Sequence, residues 1–137
     1  SGLALMSIVI DLERIGDYSK NIVDLARSHP RRLEVGDLEG EVSAIERATL
    51  DLFDRAVQAF KTGDAQAARD LMETYKTVVS PKCRDVEQRL VAGNVSLQPA
   101  EAVTLALYGR FLKRIAAHSR NLVTAVVNPV DRIGYSE

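Results

Sequence analysis

Glu13 and Asp17 are the residues whose type and spacing first suggest chemistry. They stand four apart, so a helix projects both from one side, with Asp24 one or two turns farther on. Two carboxylates at that spacing can share a hard or borderline cation through oxygen ligands. The same pair also reads as a solvated acidic face with Arg14 or Lys20 beside it. His29 and His118 are the only histidines, and neither is preceded by a Glu-x-x-His pattern. That speaks against a ferritin-like di-metal oxidase, the main enzymatic option for a helical bundle. Spacing indicates no Ser, Cys or carboxylate partner for either, so neither reads as a catalytic base. Cys83 falls on or beside an apolar helical face and reads as a small buried hydrophobe. The cluster His29-Pro30-Arg31-Arg32 can bind a phosphate-like anion, although a solvated connector is the favoured reading. Gly36 and Gly40 form no phosphate-cradling loop, because no Gly-Lys-Ser/Thr follows.

The elements that must carry these residues are helices. In the first segment Leu5, Ile8, Leu12, Ile15, Ser19, Ile22 and Ala26 recur at alternating spacings of three and four, which predicts a helix over residues 3–28. His29-Pro30 ends it, since the residue before proline is pushed out of the α region. Residues 31–41 read as a polar connector whose tail can already be helical. A second helix is predicted over residues 38–61, with Val42, Ile45, Thr49, Leu52, Ala56 and Ala59 inside. Gly63 suits its C-terminal cap and Asp64 the N-cap of the next helix, so a very short turn makes the two antiparallel neighbours. The third helix carries Ala68, Leu71, Tyr75, Val78, Val86 and Leu90. Pro81 predicts a kink within it. It stops at Gly93-Asn94. A fourth starts at Pro99, where a missing N–H matters least, and runs to Pro129. Residues 128–137 read as a short extended tail.

Composition agrees. The chain has 137 residues, 46% hydrophobic and 27% charged, with one Cys, no Trp and a net charge of −1. That is one modest domain with a real core. Near-neutral charge argues against binding nucleic acid by bulk electrostatics. A single cysteine allows no internal disulfide and suits a reducing, cytoplasmic setting. The apolar runs around residues 3–10 and 122–127 fall short of the roughly 18–20 residues a membrane span requires.

An internal repeat is the most specific feature. Leu12-Glu13-Arg14-Ile15-Gly16-Asp17-Tyr18-Ser19-Lys20-Asn21-Ile22 aligns without gaps on Leu112-Lys113-Arg114-Ile115-Ala116-Ala117-His118-Ser119-Arg120-Asn121-Leu122. The core positions match in type, which predicts that both helices bury the same face. Arg14/Arg114 and Asn21/Asn121 also match, although amphipathicity does not require them. Bonds to neighbouring helices, or caps on a following turn, are the favoured reading of these four. Such a repeat marks a duplicated unit of three helices, of which the first copy retains only its last helix.

This pattern resembles the PhoU-like family of phosphate-uptake regulators, whose members carry two three-helix repeats, each ending in a helix of the form E-R-x-x-D-[HY]-x-x-N-[IL]. Glu13, Arg14, Asp17, Tyr18, Asn21 and Ile22 match that motif closely. Arg114, Ile115, His118, Asn121 and Leu122 match it more weakly. The stretch Phe60 to Ala68 is similar to the family's turn between the first two helices of a bundle. The resemblance implies an all-α fold of four long helices. Residues 1–29 would be the last helix of a truncated first repeat and 30–40 a connector. Residues 41–128 would form a complete antiparallel three-helix repeat, and 129–137 a tail.

The resemblance further implies a non-enzymatic regulator of phosphate homeostasis. It would act by contact with a phosphate transporter and its sensor-kinase partner at the inner face of the membrane. A PhoU-like cytoplasmic domain of a sodium–phosphate cotransporter is the alternative setting. The family's acidic motif is associated with iron- or zinc-type clusters, a role that carries over to Glu13 and Asp17 only. Lys113 and Ala117 occupy the matching second positions and cannot ligate a cation. A metal-binding bundle and an oligomerisation scaffold are the competing classes. Independently, the start of the first helix is apolar nearly all round, which predicts self-association through it.

Overall fold

A computed structural model describes the backbone of residues 2–127 and the side chains of residues 5–127. The predicted turn between the second and third helices, Thr62-Gly63-Asp64, sets the first antiparallel pair. Gly63 adopts φ 67°, the left-handed conformation that only glycine takes without strain, and closes α2 (Glu39–Thr62). Asp64 then accepts a 3.0 Å hydrogen bond from the Ala67 backbone N–H, capping α3 (Ala65–Thr74). The remaining helices are α1 (Gly2–Ser28), α4 (Ser80–Val91), α5 (Pro99–Leu122) and a single turn, α6 (Thr124–Val127). The described residues form an all-helical bundle of four long helical stretches, since α3 and α4 follow one another without a loop.

Pro81 explains how they do so. In a regular α-helix its ring would strike the carbonyl four residues back. Here a wider π turn, Tyr75–Val79, precedes it, and the Ser80 N–H reaches the Tyr75 carbonyl. The expected irregularity therefore lies one turn ahead of the proline, with the helix restarting at Ser80.

α5 is the element the others share. α1 and α2 pack along it, and α4 closes a third side. Leu52, Leu71, Leu105 and Val79 are essentially sealed from solvent at the centre. Each such side chain contributes about 1.5–3 kcal/mol of burial.

Three expectations are corrected. The connector is not wholly polar: Val35, just before a 3₁₀ turn at Gly36–Leu38, and Leu38, its last residue, are among the most deeply buried residues. Charged neighbours hid these two apolar side chains, because a loop has no periodicity to display them. The fourth helix ends at Leu122 rather than Pro129, and the buried Val123 separates it from α6; Pro129 and the tail lie outside the described residues. Finally, α1 turns a different stripe toward α5. Ile8, Asp11, Ile15, Tyr18 and Ile22 face inward, whereas Leu5 and Leu12 stand 63% and 48% exposed. A helix apolar on nearly every side offers two stripes, and spacing alone mixed them.

Candidate functional site

The repeat halves meet each other. α1 and α5 run antiparallel, as the contacts Asp11–His118, Tyr18–Arg114 and His29–Glu101 show in sequence. Tyr18 and His118 occupy equivalent repeat positions and stack on one another, with ring centroids 6.1 Å apart and an interplanar angle of 22°. Ser19 and Ser119 each donate to the carbonyl four residues earlier, Ile15 at 2.7 Å and Ile115 at 2.8 Å. The two copies of the motif thus lie on opposite sides of the α1–α5 seam, with Tyr18 against His118.

The expectation that both copies bury the same face holds at Ile15 and Ile115 and fails at the flanks. Leu112 and Asn121 are buried, while Leu12 and Asn21 are exposed. The difference follows from position in the bundle: α5 is surrounded, whereas the sustained helix contact of α1 among the described residues is with α5. Arg114 donates through Nε to the Tyr18 hydroxyl at 3.4 Å and lies over the same ring. Arg14 is exposed and bonds to no other side chain among the described residues.

At the centre of this seam is a buried carboxylate that spacing did not reveal. Asp11, 3% exposed, accepts from His118 Nδ1 at 2.8 Å and from the Asn121 amide at 3.5 Å. The Asn121 carbonyl oxygen in turn accepts from Arg120 Nε and its terminal nitrogen at 3.1 and 2.9 Å. The Arg120 guanidinium rests 4.6 Å from the centre of the Tyr75 ring, in the π turn. One polar chain thus ties α1, α5 and the π turn together. The sequence sign of it was a lone acid inside an apolar run, together with a histidine at the repeat position of a tyrosine. Carboxylate-oriented histidine is the arrangement of a general base. Here, however, the far nitrogen, Nε2, is closed off from solvent and has no hydrogen-bond partner among the described residues. A base must reach the proton it takes. The geometry fits a bracing role.

A second cluster anchors the connector. Glu101, in the first turn of α5, accepts from the Glu34 backbone N–H at 3.0 Å and from Arg31 at 2.9 Å, with His29 Nε2 3.3 Å away. The Glu34 N–H, then the Arg31 guanidinium and His29, hold its carboxyl below the ordinary range against the opposing effect of burial. His29 Nε2 therefore also lies beside a carboxylate distant in sequence, without hydrogen-bond geometry to it. Arg32 pairs with Glu39 at 2.6 Å. The two arginines of the basic cluster thus already engage carboxylates.

Glu13 and Asp17 are exposed on α1. Among the described residues no three His, Cys, Asp or Glu side chains converge as a metal site. A hard cation such as calcium takes six to eight oxygens, more than this pair supplies. Between α2, α4 and α5 lies an open cleft of about 270 Å³ lined by Val42, Ile45, Cys83, Val86 and Leu105. Burial pushes the Cys83 thiol up to about 11, which keeps it protonated and unreactive at neutral pH. At the same cleft Tyr108 donates to Glu46 of α2, and burial together with that carboxylate raises its phenol above the usual range.

Among the described residues the fold and its polar seam define an all-helical bundle in which two packed helices, α1 and α5, carry the same short sequence motif. No helix among the described residues is long and apolar enough to cross a membrane. No family model matches the chain, and neither does any of the curated proteins or solved structures compared with it.

Proposed function

We propose that this chain is a non-enzymatic regulatory module of the PhoU-like type, restraining phosphate uptake through contacts with a phosphate transporter and its sensor-kinase partner at the cytoplasmic face of the membrane. The observation that carries this reading is the duplicated helix: the Arg-x-x-x-[His/Tyr]-Ser-x-Asn signature recurs in α1 and α5, and the two copies lie face to face with Tyr18 on His118. Support for a role without catalysis comes from the polar groups themselves. Asp11, His118, Asn121 and Glu101 are each spent on holding helices or a connector in place.

The reading is tested by disrupting the gene and following phosphate uptake at low and high external phosphate, alongside capture of transporter subunits on the tagged protein. Expected are uptake that no longer falls when phosphate is plentiful, and recovery of transporter or sensor-kinase subunits. Unchanged uptake with no such association would overturn it.

A further inference from the structure

The cleft of about 270 Å³ is walled by α2, α4 and α5 alone. On α5 the residues that meet α1, Phe111 and His118, project about 140–160° round the helix from Lys113, which lines the cleft. The walls are therefore independent of whatever covers α1.

The interior is apolar. Val42 and Ile45 come from α2, Val86 and Leu90 from α4, and Leu105 from α5. Gly109 also lines the α5 wall, and a Cβ there would meet no atom within 4 Å. A glycine inside a helix is less stable than an alanine, and no close approach within this fold requires one. Its effect is to leave the wall open.

Lys113 puts a charge in this apolar setting. It is only partly exposed, and among the described residues it makes no ion pair, Glu87 across the cleft included. Arg110 adds a second cation at the exposed rim. The repeat position of Lys113 in α1 is Glu13, so the charge is reversed in the copy that borders the cleft. A partly desolvated ammonium without a counter-ion favours an anionic group beside it. From Lys113 back to Leu105 the α5 wall covers about 12 Å, the length of an extended chain of about ten carbons. An unbranched apolar chain ending in one carboxylate matches both the lining and its charged end.

We propose that the α2–α4–α5 cleft binds a free medium-chain carboxylate, its acyl chain lying along Val86, Leu90 and Leu105 over Gly109 and its carboxylate on Lys113. This goes beyond the regulatory reading and does not depend on it.

Calorimetric titration of the full chain with decanoate, kept below its micelle threshold, tests it. Saturable one-to-one binding is expected. Decanol and decyltrimethylammonium, which keep the chain and lose the carboxylate, should bind at least about tenfold more weakly. Lys113→Met, which keeps most of the apolar stem, should weaken decanoate by about tenfold and leave decanol unchanged. Gly109→Leu places a side chain in the cleft and should abolish binding with the helical circular dichroism unchanged. Independently of any variant, decanoate should shift the methyl resonances of Val86 and Leu105 and leave those of Ile8 and Ile15 in place. No saturable binding, or decanol binding as tightly as decanoate, would overturn the proposal. Binding indifferent to Gly109→Leu, or methyl shifts confined to other parts of the bundle, would overturn it equally.

Discussion

A carboxylate taken out of water inside a helix pair costs several kcal/mol unless donors meet it. Asp11 meets two, His118 Nδ1 and the Asn121 amide, and both come from α5. Asp11→Ala is expected to lower unfolding free energy by about 1–3 kcal/mol in urea titrations, since the largely buried His118 Nδ1 loses its acceptor and α1 loses its polar tie to α5. Asp11→Asn, which keeps an acceptor, should cost less. A loss no larger than that of the exposed Asp17→Ala would show that the contact does not brace the pair. His118 and Asn121 stood out in the sequence because the repeat marks them. Asp11 did not, because its partners are 107 and 110 residues away and no local pattern encodes that distance.

At the scale of elements, most boundaries follow from short-range chemistry: Gly63 in a left-handed turn, Asp64 as a cap, Pro99 opening α5. The connector is the exception, and Glu101 is what orders it. Because the folded chain holds this carboxyl more acidic than the unfolded chain does, its contribution is complete above the ordinary carboxyl range near 4.5. It is lost as pH falls through the depressed folded value. Thermal unfolding followed from neutral pH downward should therefore show a steeper fall below about pH 4.5 in the parent than in Glu101→Gln, which is less stable at neutral pH and less sensitive to acid. Parallel curves would contradict the assignment. The connector reads as solvated in sequence because Arg31, Arg32 and Glu34 dominate it. Its folded course depends on a carboxylate from α5 and on two buried side chains, Val35 and Leu38.

On the scale of the whole molecule, the bundle is lopsided. α2, α3 and α4 share a core with α5, while α1 leans on α5 along one side. A helix supported on one side by a single neighbour opens locally at lower cost than one enclosed on several sides. Hydrogen exchange on dilute, monomeric protein is expected to show α1 amides exchanging faster than those of the inner turns of α2 and α5; uniform protection would contradict a separable α1. The helices, the short α2–α3 turn, the special position of Pro81 and the repeat were legible from local residues, because caps, prolines and 3.6-residue spacing act over short stretches of chain. Tertiary structure alone decided which stripe of α1 is buried, where α5 stops, and that a lone aspartate meets a lone histidine. Those outcomes depend on which surfaces neighbouring helices leave open, and that is a property of packing across about a hundred residues of chain.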